Sequence, residues 1–165
     1  MEDLKQFREL FNPLPGNHYI QILREVDETT DILYDLMKSI DGELRIVVYE
    51  NDDISTIKEK YPDAKIQAIN SLSSPFKALP RDNDTVIFKD IFHLHKNQAL
   101  LLKISYTTLA NTANVIIMQE KATMNIESMI EMLGEYEFRS ANYIDIDPKY
   151  DLVVAKKLHM WGNGL

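Results

Sequence analysis

The sequence contains no cysteine among its 165 residues. Disulfides, thiolate zinc sites and thiolate nucleophiles are therefore excluded. Glycine is also scarce, with five residues in the whole chain, and neither a Gly-x-Ser-x-Gly elbow nor a glycine-rich phosphate loop is present. These absences argue against a cysteine enzyme, a serine hydrolase on an α/β sheet and a dinucleotide-binding protein.

Long apolar runs are missing as well. The runs at 99–102 and 115–118 are far shorter than the ~20 residues that cross a bilayer. The first residues, MEDLKQFREL, are charged and lack the apolar core of a signal peptide. We therefore expect no membrane association and a cytoplasmic location.

Basic residues are fewer than acidic residues. Eighteen basic residues stand against 26 acidic ones, which gives a formal net charge of -8. Such a chain repels a phosphate backbone, so nucleic acid is a disfavoured partner, although a local basic patch such as Lys156 and Lys157 escapes this global argument.

The main feature of the sequence is an alternation of predicted strands and helices. Apolar residues make up 45% of the chain, the balance of a soluble globular domain. Apolar periodicity and turn residues predict seven strands, at 19–26, 44–49, 65–69, 85–88, 114–119, 138–146 and 151–159. They predict helices at 3–11, 30–40, from 52 or 53 to 61, 94–109 and from about 125 to 134.

This order predicts a three-layer α/β/α, Rossmann-like domain with a mostly parallel seven-stranded sheet. The last connection is too short for a parallel crossover, so the C-terminal strand must be antiparallel. We expect an N-terminal helical arm over residues 1–16 and one α/β domain over residues 17–165.

Two segments carry a family resemblance. LRIVVYENDDISTIKEKYPDAKIQAINSLSSPF, which begins at Leu44, and YDLVVAKKLHMWG, which begins at Tyr150, resemble parts of the class I S-adenosylmethionine-dependent methyltransferases in the right order. The resemblance runs from about Tyr19 to Gly162. It implies the Rossmann-like fold given above, and S-adenosylmethionine as cofactor if the site is competent.

In that family, alternating glycines after the first strand let the backbone approach the methionine and ribose parts of the cofactor. The resemblance places these glycines at Val26, Glu28 and Thr30, which all carry side chains. Asp27 and Glu28 also add negative charge at a helix start, where a ligand carboxylate would otherwise be favoured. The resemblance therefore implies a degenerate glycine loop.

Other cofactor positions are retained in part. The resemblance puts Glu50 where family members bind the ribose hydroxyls, and Asn70 with Ser71 where they meet the adenine amino group. Each has a plainer interpretation: Glu50 can belong to the turn that precedes the next helix, and Asn70 and Ser71 are ordinary turn formers.

Catalytic candidates follow the fourth predicted strand, since ligands bind at the carboxyl ends of parallel strands. Lys89, Asp90 and His93 offer an amine, a carboxylate and an imidazole. His93 and His95 would diverge on a helix, and no third ligand lies nearby, so we expect no metal site.

These observations are consistent with two main functions. The lost glycines favour a methyltransferase-like pseudoenzyme, an interaction or scaffold domain that binds a protein partner or forms a homo-oligomer and needs no cofactor. The alternative is an active methyltransferase on a small molecule or a protein, with an atypical cofactor loop and with Glu50 and Asn70 as cofactor ligands. A weaker possibility is a module that binds another metabolite in the same crevice.

Overall fold

The structure is a computed structural model that describes residues 4–158. Its strands are β1 (His18–Leu23), β2 (Glu43–Tyr49), β3 (Lys65–Ile69), β4 (Asn83–Lys89), β5 (Leu109–Glu120), β6 (Phe138–Tyr143) and β7 (Tyr150–Lys157). Its helices are α1 (Lys5–Glu9), α2 (Glu28–Ser39), α3 (Ile54–Lys60), α4 (Gln98–Thr108) and α5 (Ile126–Glu135), with a 3-10 turn at Phe92–Leu94.

The seven strands form one sheet in the order β3-β2-β1-β4-β5-β7-β6. The first five are parallel to one another, and β7 runs antiparallel to both β5 and β6. The predicted mostly parallel sheet with an antiparallel C-terminal strand is therefore confirmed. The chain reaches β7 through a short turn and inserts this strand between β5 and β6.

Each face of the sheet carries its own core. Helices α1, α2 and α3 cover one face through residues such as Phe7, Leu33 and Ile57, and α4 and α5 cover the other through Leu101 and Leu133. Helix α1, the predicted arm, contributes Phe7 to the core with only 1% of its surface exposed. None of the helices within residues 4–158 is both long and apolar enough to span a membrane.

Several predicted boundaries differ from the structure. The predicted helix at 94–109 begins instead at Gln98, because the Asn97 side chain accepts a hydrogen bond from the Leu100 amide and caps the helix there. Strand β5 is longer than predicted and starts at Leu109, directly after α4. Strand β6 ends at Tyr143, earlier than predicted.

Candidate functional site

The carboxyl ends of β1 and β4 meet where the order of the strands reverses. Strand β1 pairs with β2 on one side and with β4 on the other, so the connections from the two strands diverge and leave a crevice between them. A cavity of about 380 Å³ lies at this point. It is lined by Arg24, Glu25, Val26, Asp27, Lys89, Asp90, Leu94 and Tyr150.

Lys89, the last residue of β4, forms the centre of this site. Its Nζ donates to Asp27 Oδ2 at 2.8 Å, to Asp90 Oδ2 at 2.7 Å and to the Tyr150 hydroxyl at 3.2 Å. The ammonium also lies 4.3 Å from the centre of the Tyr150 ring. All three N–H groups of the ammonium therefore have partners, and 3% of the side chain is exposed.

The hydrogen-bond partners of Lys89 keep its amine protonated. Burial alone would lower the pKa of Lys89, but the Asp27 and Asp90 carboxylates outweigh it and raise this pKa above its ordinary value. A protonated amine has no lone pair to accept a proton or attack a carbon. The contacts of Lys89 with Asp27 and Asp90 are those of an ion-pair cluster, and the catalytic role that the sequence suggested for Lys89 stays a prediction.

Asp27 fixes the start of α2 as well as binding Lys89. Its carboxylate accepts a hydrogen bond from the Thr29 amide at 2.8 Å, and its own amide is 3.3 Å from the Thr30 hydroxyl. The Thr29 hydroxyl also donates to Asp27 Oδ1. This reciprocal arrangement is a capping box, which stabilises the helix start without any ligand.

A buried glutamine connects this cap to the sheet. Gln21, in the middle of β1, donates from Nε2 to the Thr29 hydroxyl at 2.8 Å and accepts from the Thr30 hydroxyl at 2.7 Å. The glutamine and both threonines are fully buried. Their polar groups are therefore satisfied within the protein, and they hold the loop after β1 rigidly against the sheet.

The loop from Arg24 to Asp27 follows β1, where the resemblance expects a glycine loop. None of the backbone φ angles between Val26 and Thr30 is positive, so this turn needs no glycine. Val26 and Asp27 line the cavity, whereas Glu28 is exposed. Acidic residues Glu28 and Asp31 stand in the first turn of α2, where they disfavour an anionic ligand group.

Acidic residues with left-handed backbones end two of the strands. Glu50 follows β2 with a φ of 49°, and Asp90 follows β4 with a φ of 53°. Asp90 Oδ1 accepts from the Glu120 amide at 2.8 Å, while its other oxygen binds Lys89. Asp90 thereby joins the ends of β4 and β5 to the centre of the site.

Glu50 does not line the cavity, whereas its ion-pair partner Arg24 does. Its carboxylate is 3.7 Å from the Arg24 guanidinium, and both side chains are more than a third exposed. The Asn51 amide group donates to the Arg24 carbonyl at 2.7 Å. These contacts connect the loops that follow β1 and β2, and the cofactor role that the resemblance implies for Glu50 stays a prediction.

Asn70 and Ser71 begin the long connection from β3 to β4. Asn70 is exposed, and the Ser71 hydroxyl is 2.7 Å from the hydroxyl of Ser73 within the same turn. Neither residue lines the 380 Å³ cavity. The Ser74 amide donates to the Ser71 carbonyl at 3.1 Å, and the adenine-binding role that the resemblance implies for Asn70 and Ser71 stays a prediction.

The two histidines after β4 lie in different surroundings. His93 is exposed in the 3-10 turn, whereas 4% of His95 is exposed. His95 accepts from the Asn97 amide on Nδ1 at 2.9 Å, so its Nε2, 2.9 Å from the Ser74 carbonyl, carries the proton and donates. Residues 4–158 hold no group of three histidine or carboxylate side chains placed to bind a metal ion.

The structure thus brings together Asp27, Lys89 and Asp90, with Thr30 behind them, and leaves Glu50, Asn70, Ser71 and His93 outside the cluster. Sequence reasoning missed Gln21 and Tyr150. A polar residue inside an apolar strand was a signal for Gln21, because a buried amide requires partners. Tyr150 follows a turn of Asp, Pro and Lys, which gives no comparable signal.

Comparisons with known proteins identify the fold. No protein-family model matches the sequence, and no curated protein matches it. Solved structures do match. The chain superposes on an S-adenosylmethionine-dependent methyltransferase from Aquifex aeolicus with a TM-score of 0.72 at 11% identity, over 94% of this chain and 90% of that one.

Two further matches are a phosphoethanolamine N-methyltransferase from Haemonchus contortus and a Haloferax volcanii methyltransferase. The first was solved with phosphomonomethylethanolamine and S-adenosylhomocysteine (TM-score 0.71, 11% identity, 94% of this chain and 52% of that one). The second was solved in complex with the Trm112 methyltransferase activator (TM-score 0.72, 10% identity, 94% of this chain and 88% of that one).

The chain spans about half the length of several of these proteins, 52% in the Haemonchus contortus example. Identities of 13% and below carry information about architecture alone. With the strand order β3-β2-β1-β4-β5-β7-β6, they establish that this chain has the Rossmann-like fold of the S-adenosylmethionine-dependent class I methyltransferases.

Proposed function

We propose that this chain is a non-catalytic protein of the methyltransferase fold, an interaction or scaffold domain in which an ion-pair cluster of its own side chains stands at the cofactor edge. One observation carries the proposal. The Lys89 ammonium, bound by Asp27 and Asp90, occupies the carboxyl ends of β1 and β4, where a doubly wound sheet binds its ligand.

The residues at this edge do not fit S-adenosylmethionine. The amino-acid part of that cofactor carries an ammonium and a carboxylate. Lys89 already supplies a positive charge to Asp27 and Asp90, and the acidic first turn of α2 repels a ligand carboxylate. Binding the cofactor here would require breaking this ion-pair cluster.

The residues that the resemblance assigns to ribose and adenine also argue against binding of S-adenosylmethionine. Glu50 pairs with Arg24, Asn70 is exposed, and neither lines the cavity that contains Lys89. A cofactor needs its three recognition elements around one continuous space. Here Asp27 lines the cavity, whereas Glu50 and Asn70 do not.

A protein partner is the expected ligand class for such a domain. The match to a methyltransferase that was solved with its activator protein supports this part of the proposal. A homo-oligomer is the other form that a scaffold role would take. Sedimentation analysis of the purified chain distinguishes the two.

Calorimetric titration with S-adenosylmethionine and S-adenosylhomocysteine tests the proposal. We expect no heat of binding and no change in Tm with either compound. Binding at micromolar strength, about -8 kcal/mol, would overturn the proposal. The same titration of the Lys89→Met variant shows whether the ion-pair cluster excludes the cofactor, because the variant lacks the central ammonium.

The alternative is an active methyltransferase with an atypical cofactor loop, and the 380 Å³ cavity favours it. Its size falls within the range of small-molecule sites, about 300–1,000 Å³. Under this alternative, Glu50→Ala weakens cofactor binding by about 1–3 kcal/mol, the value of a charged hydrogen bond. Asp52→Ala, an exposed acid in the same loop, is the matched control.

A further inference from the structure

A second cavity lies beside the first turns of α5, on the face of the sheet that α4 and α5 cover. It has a volume of about 170 Å³. Phe92, Met124, Met129 and Met132 form its apolar wall, and polar side chains such as His93 and Ser128 line the rest. An apolar centre with a polar rim is the usual anatomy of a protein interface.

Gln119, near the end of β5, lines this cavity with 1% of its surface exposed. Its Nε2 donates to the Thr123 carbonyl at 3.3 Å and lies 3.2 Å from the Thr123 hydroxyl. That hydroxyl donates to the Glu120 carbonyl at 2.6 Å, so its oxygen accepts from Gln119. Turning the amide over would place Oε1 against the Thr123 carbonyl, and the orientation is therefore fixed.

The other end of the same amide has no partner. Gln119 Oε1 is buried and accepts no hydrogen bond from any group within residues 4–158. An unpaired buried carbonyl is unfavourable, and a donor that reaches it recovers the lost interaction. Methionines in the cavity wall have three rotatable bonds and can move to admit such a donor.

The chemistry of the cavity selects a neutral aromatic donor. None of the described residues that line it is acidic, so a lysine or arginine side chain would enter without a counter-charge. Methionine sulfur and the Phe92 ring favour an aromatic group. A volume of 170 Å³ is below the range of about 300–1,000 Å³ that holds whole small molecules.

We propose that this cavity receives one aromatic side chain with a hydrogen-bond donor, a tryptophan or a tyrosine, from a protein partner, and that the donor binds Gln119 Oε1. Such side chains commonly anchor protein interfaces. The inference rests on the proposed interaction role. It is tested at residues that line a different cavity from the one that contains Lys89, so that it and the exclusion of cofactor can fail separately.

The test is an NMR titration of the whole chain with ¹³C-methyl methionine labels. The probes are indole, p-cresol, 1-methylindole, which lacks the N–H donor, and N-acetyl-tryptophanamide, which carries a peptide backbone. We expect indole and N-acetyl-tryptophanamide to shift the methyls of Met124, Met129 and Met132. The methyls of Met37 and Met118, which are buried in the other core, serve as internal controls.

The donor is tested by comparing probes in two proteins. In the wild type we expect indole to bind about tenfold more tightly than 1-methylindole, the value of one neutral hydrogen bond. In the Gln119→Leu variant the two should bind alike. A preference that persists in Gln119→Leu would be steric and would overturn the role of Oε1. Should that variant not fold, Gln119→Met, which also removes Oε1, takes its place in the comparison.

Two other results would contradict the proposal. If no probe shifts the three methyls, the cavity does not admit an aromatic ring. If indole binds and N-acetyl-tryptophanamide does not, the cavity accepts a free small molecule and excludes a side chain on a polypeptide.

Discussion

The ammonium of Lys89 lies 2.8 Å from the Asp27 carboxylate, across 62 residues of sequence. One residue ends β4 and the other caps α2, so this contact joins the two connections that leave the switch point of the sheet. Asp90 and Tyr150 complete the coordination of the ammonium. A single buried cation thus links β1, β4, β5 and β7 at the edge where relatives of this fold bind their ligands.

Replacing this cation should destabilise the protein. We expect Lys89→Met to lower the free energy of unfolding by about 1–3 kcal/mol, because hydrogen bonds to charged groups are lost. The loss is limited since Asp27 and Asp90 are about a third exposed and can be hydrated. Urea denaturation measures it, with the exposed Lys58→Met as control; equal stability of the two variants would contradict a structural role for the cluster.

A second charged cluster should make stability dependent on acid. Arg45 binds Glu43 at 2.6 Å and Asp82 at 2.5 Å, and Lys65 also binds Glu43. Burial alone would raise the pKa of both carboxyls, but Arg45, with Lys65 at Glu43 and His18 at Asp82, holds each below its usual value of 4.5 or 3.8.

Carboxyls with lowered pKa values contribute stability above their unfolded pKa and lose it as the pH falls through the folded value. We therefore expect Arg45→Met to lower the free energy of unfolding by about 1–3 kcal/mol near neutral pH. The difference in this free energy between wild type and variant should narrow below pH 4.5. Lys38→Met, which breaks an exposed pair with Asp63, is the control. A difference that does not change with pH would contradict this assignment.

Two glycines should respond oppositely to alanine. A Cβ on Gly42 would lie 2.5 Å from the Asn17 carbonyl oxygen, whereas a Cβ on Gly134 would meet nothing within 4 Å. We expect Gly42→Ala to cost about 1–3 kcal/mol through overpacking. Gly134→Ala, inside α5, should stabilise by about 0.5–1 kcal/mol. Thermal denaturation checks the two signs, and a stabilising Gly42→Ala would refute the close approach.

The Tyr49 hydroxyl should stabilise the connection from β3 to β4. The Tyr49 hydroxyl donates to the Ser74 carbonyl at 2.7 Å, and burial raises the pKa of Tyr49 to about 12. Tyr49→Phe should cost about 0.5–1.5 kcal/mol and speed hydrogen exchange of the Lys96 amide, which donates to the Leu72 carbonyl.

Because the folded pKa of Tyr49 exceeds the ordinary value of 10.0, the contribution of this bond is fully present below pH 10 and is lost as the pH rises toward 12. The stability difference between wild type and Tyr49→Phe should follow that course. A difference that already falls between neutral pH and pH 10 would show that another group is responsible.

The sequence was sufficient for the architecture because buried parallel strands such as β2 and β5 read as uninterrupted apolar runs. The short turn before β7 also required an antiparallel strand. The start of α4 was harder to predict, since Leu94, where the predicted helix begins, belongs to a separate 3-10 turn that ends before the cap at Asn97.

The candidate site could be predicted only in part. Lys89 and Asp90 were found because they follow the predicted strand at 85–88, whereas Asp27 was named only as part of the glycine loop that the resemblance implies. Their direct contact depends on β1 lying beside β4, a relationship between distant segments that local patterns do not encode. The resemblance also grouped Glu50 and Asn70 with Asp27, whereas side-chain pairing separates them in the structure.

The most direct test of the account is the NMR signal of the Lys89 ammonium in protein with ¹⁵N-labelled lysine, assigned by its loss in Lys89→Met. We predict a slowly exchanging ammonium resonance, because all three N–H groups are bound and buried, and we predict no change when S-adenosylhomocysteine is added in excess. A resonance that exchanges as fast as that of an exposed lysine, or that moves when S-adenosylhomocysteine is added, would contradict a cofactor edge that is held by the protein's own ion-pair cluster.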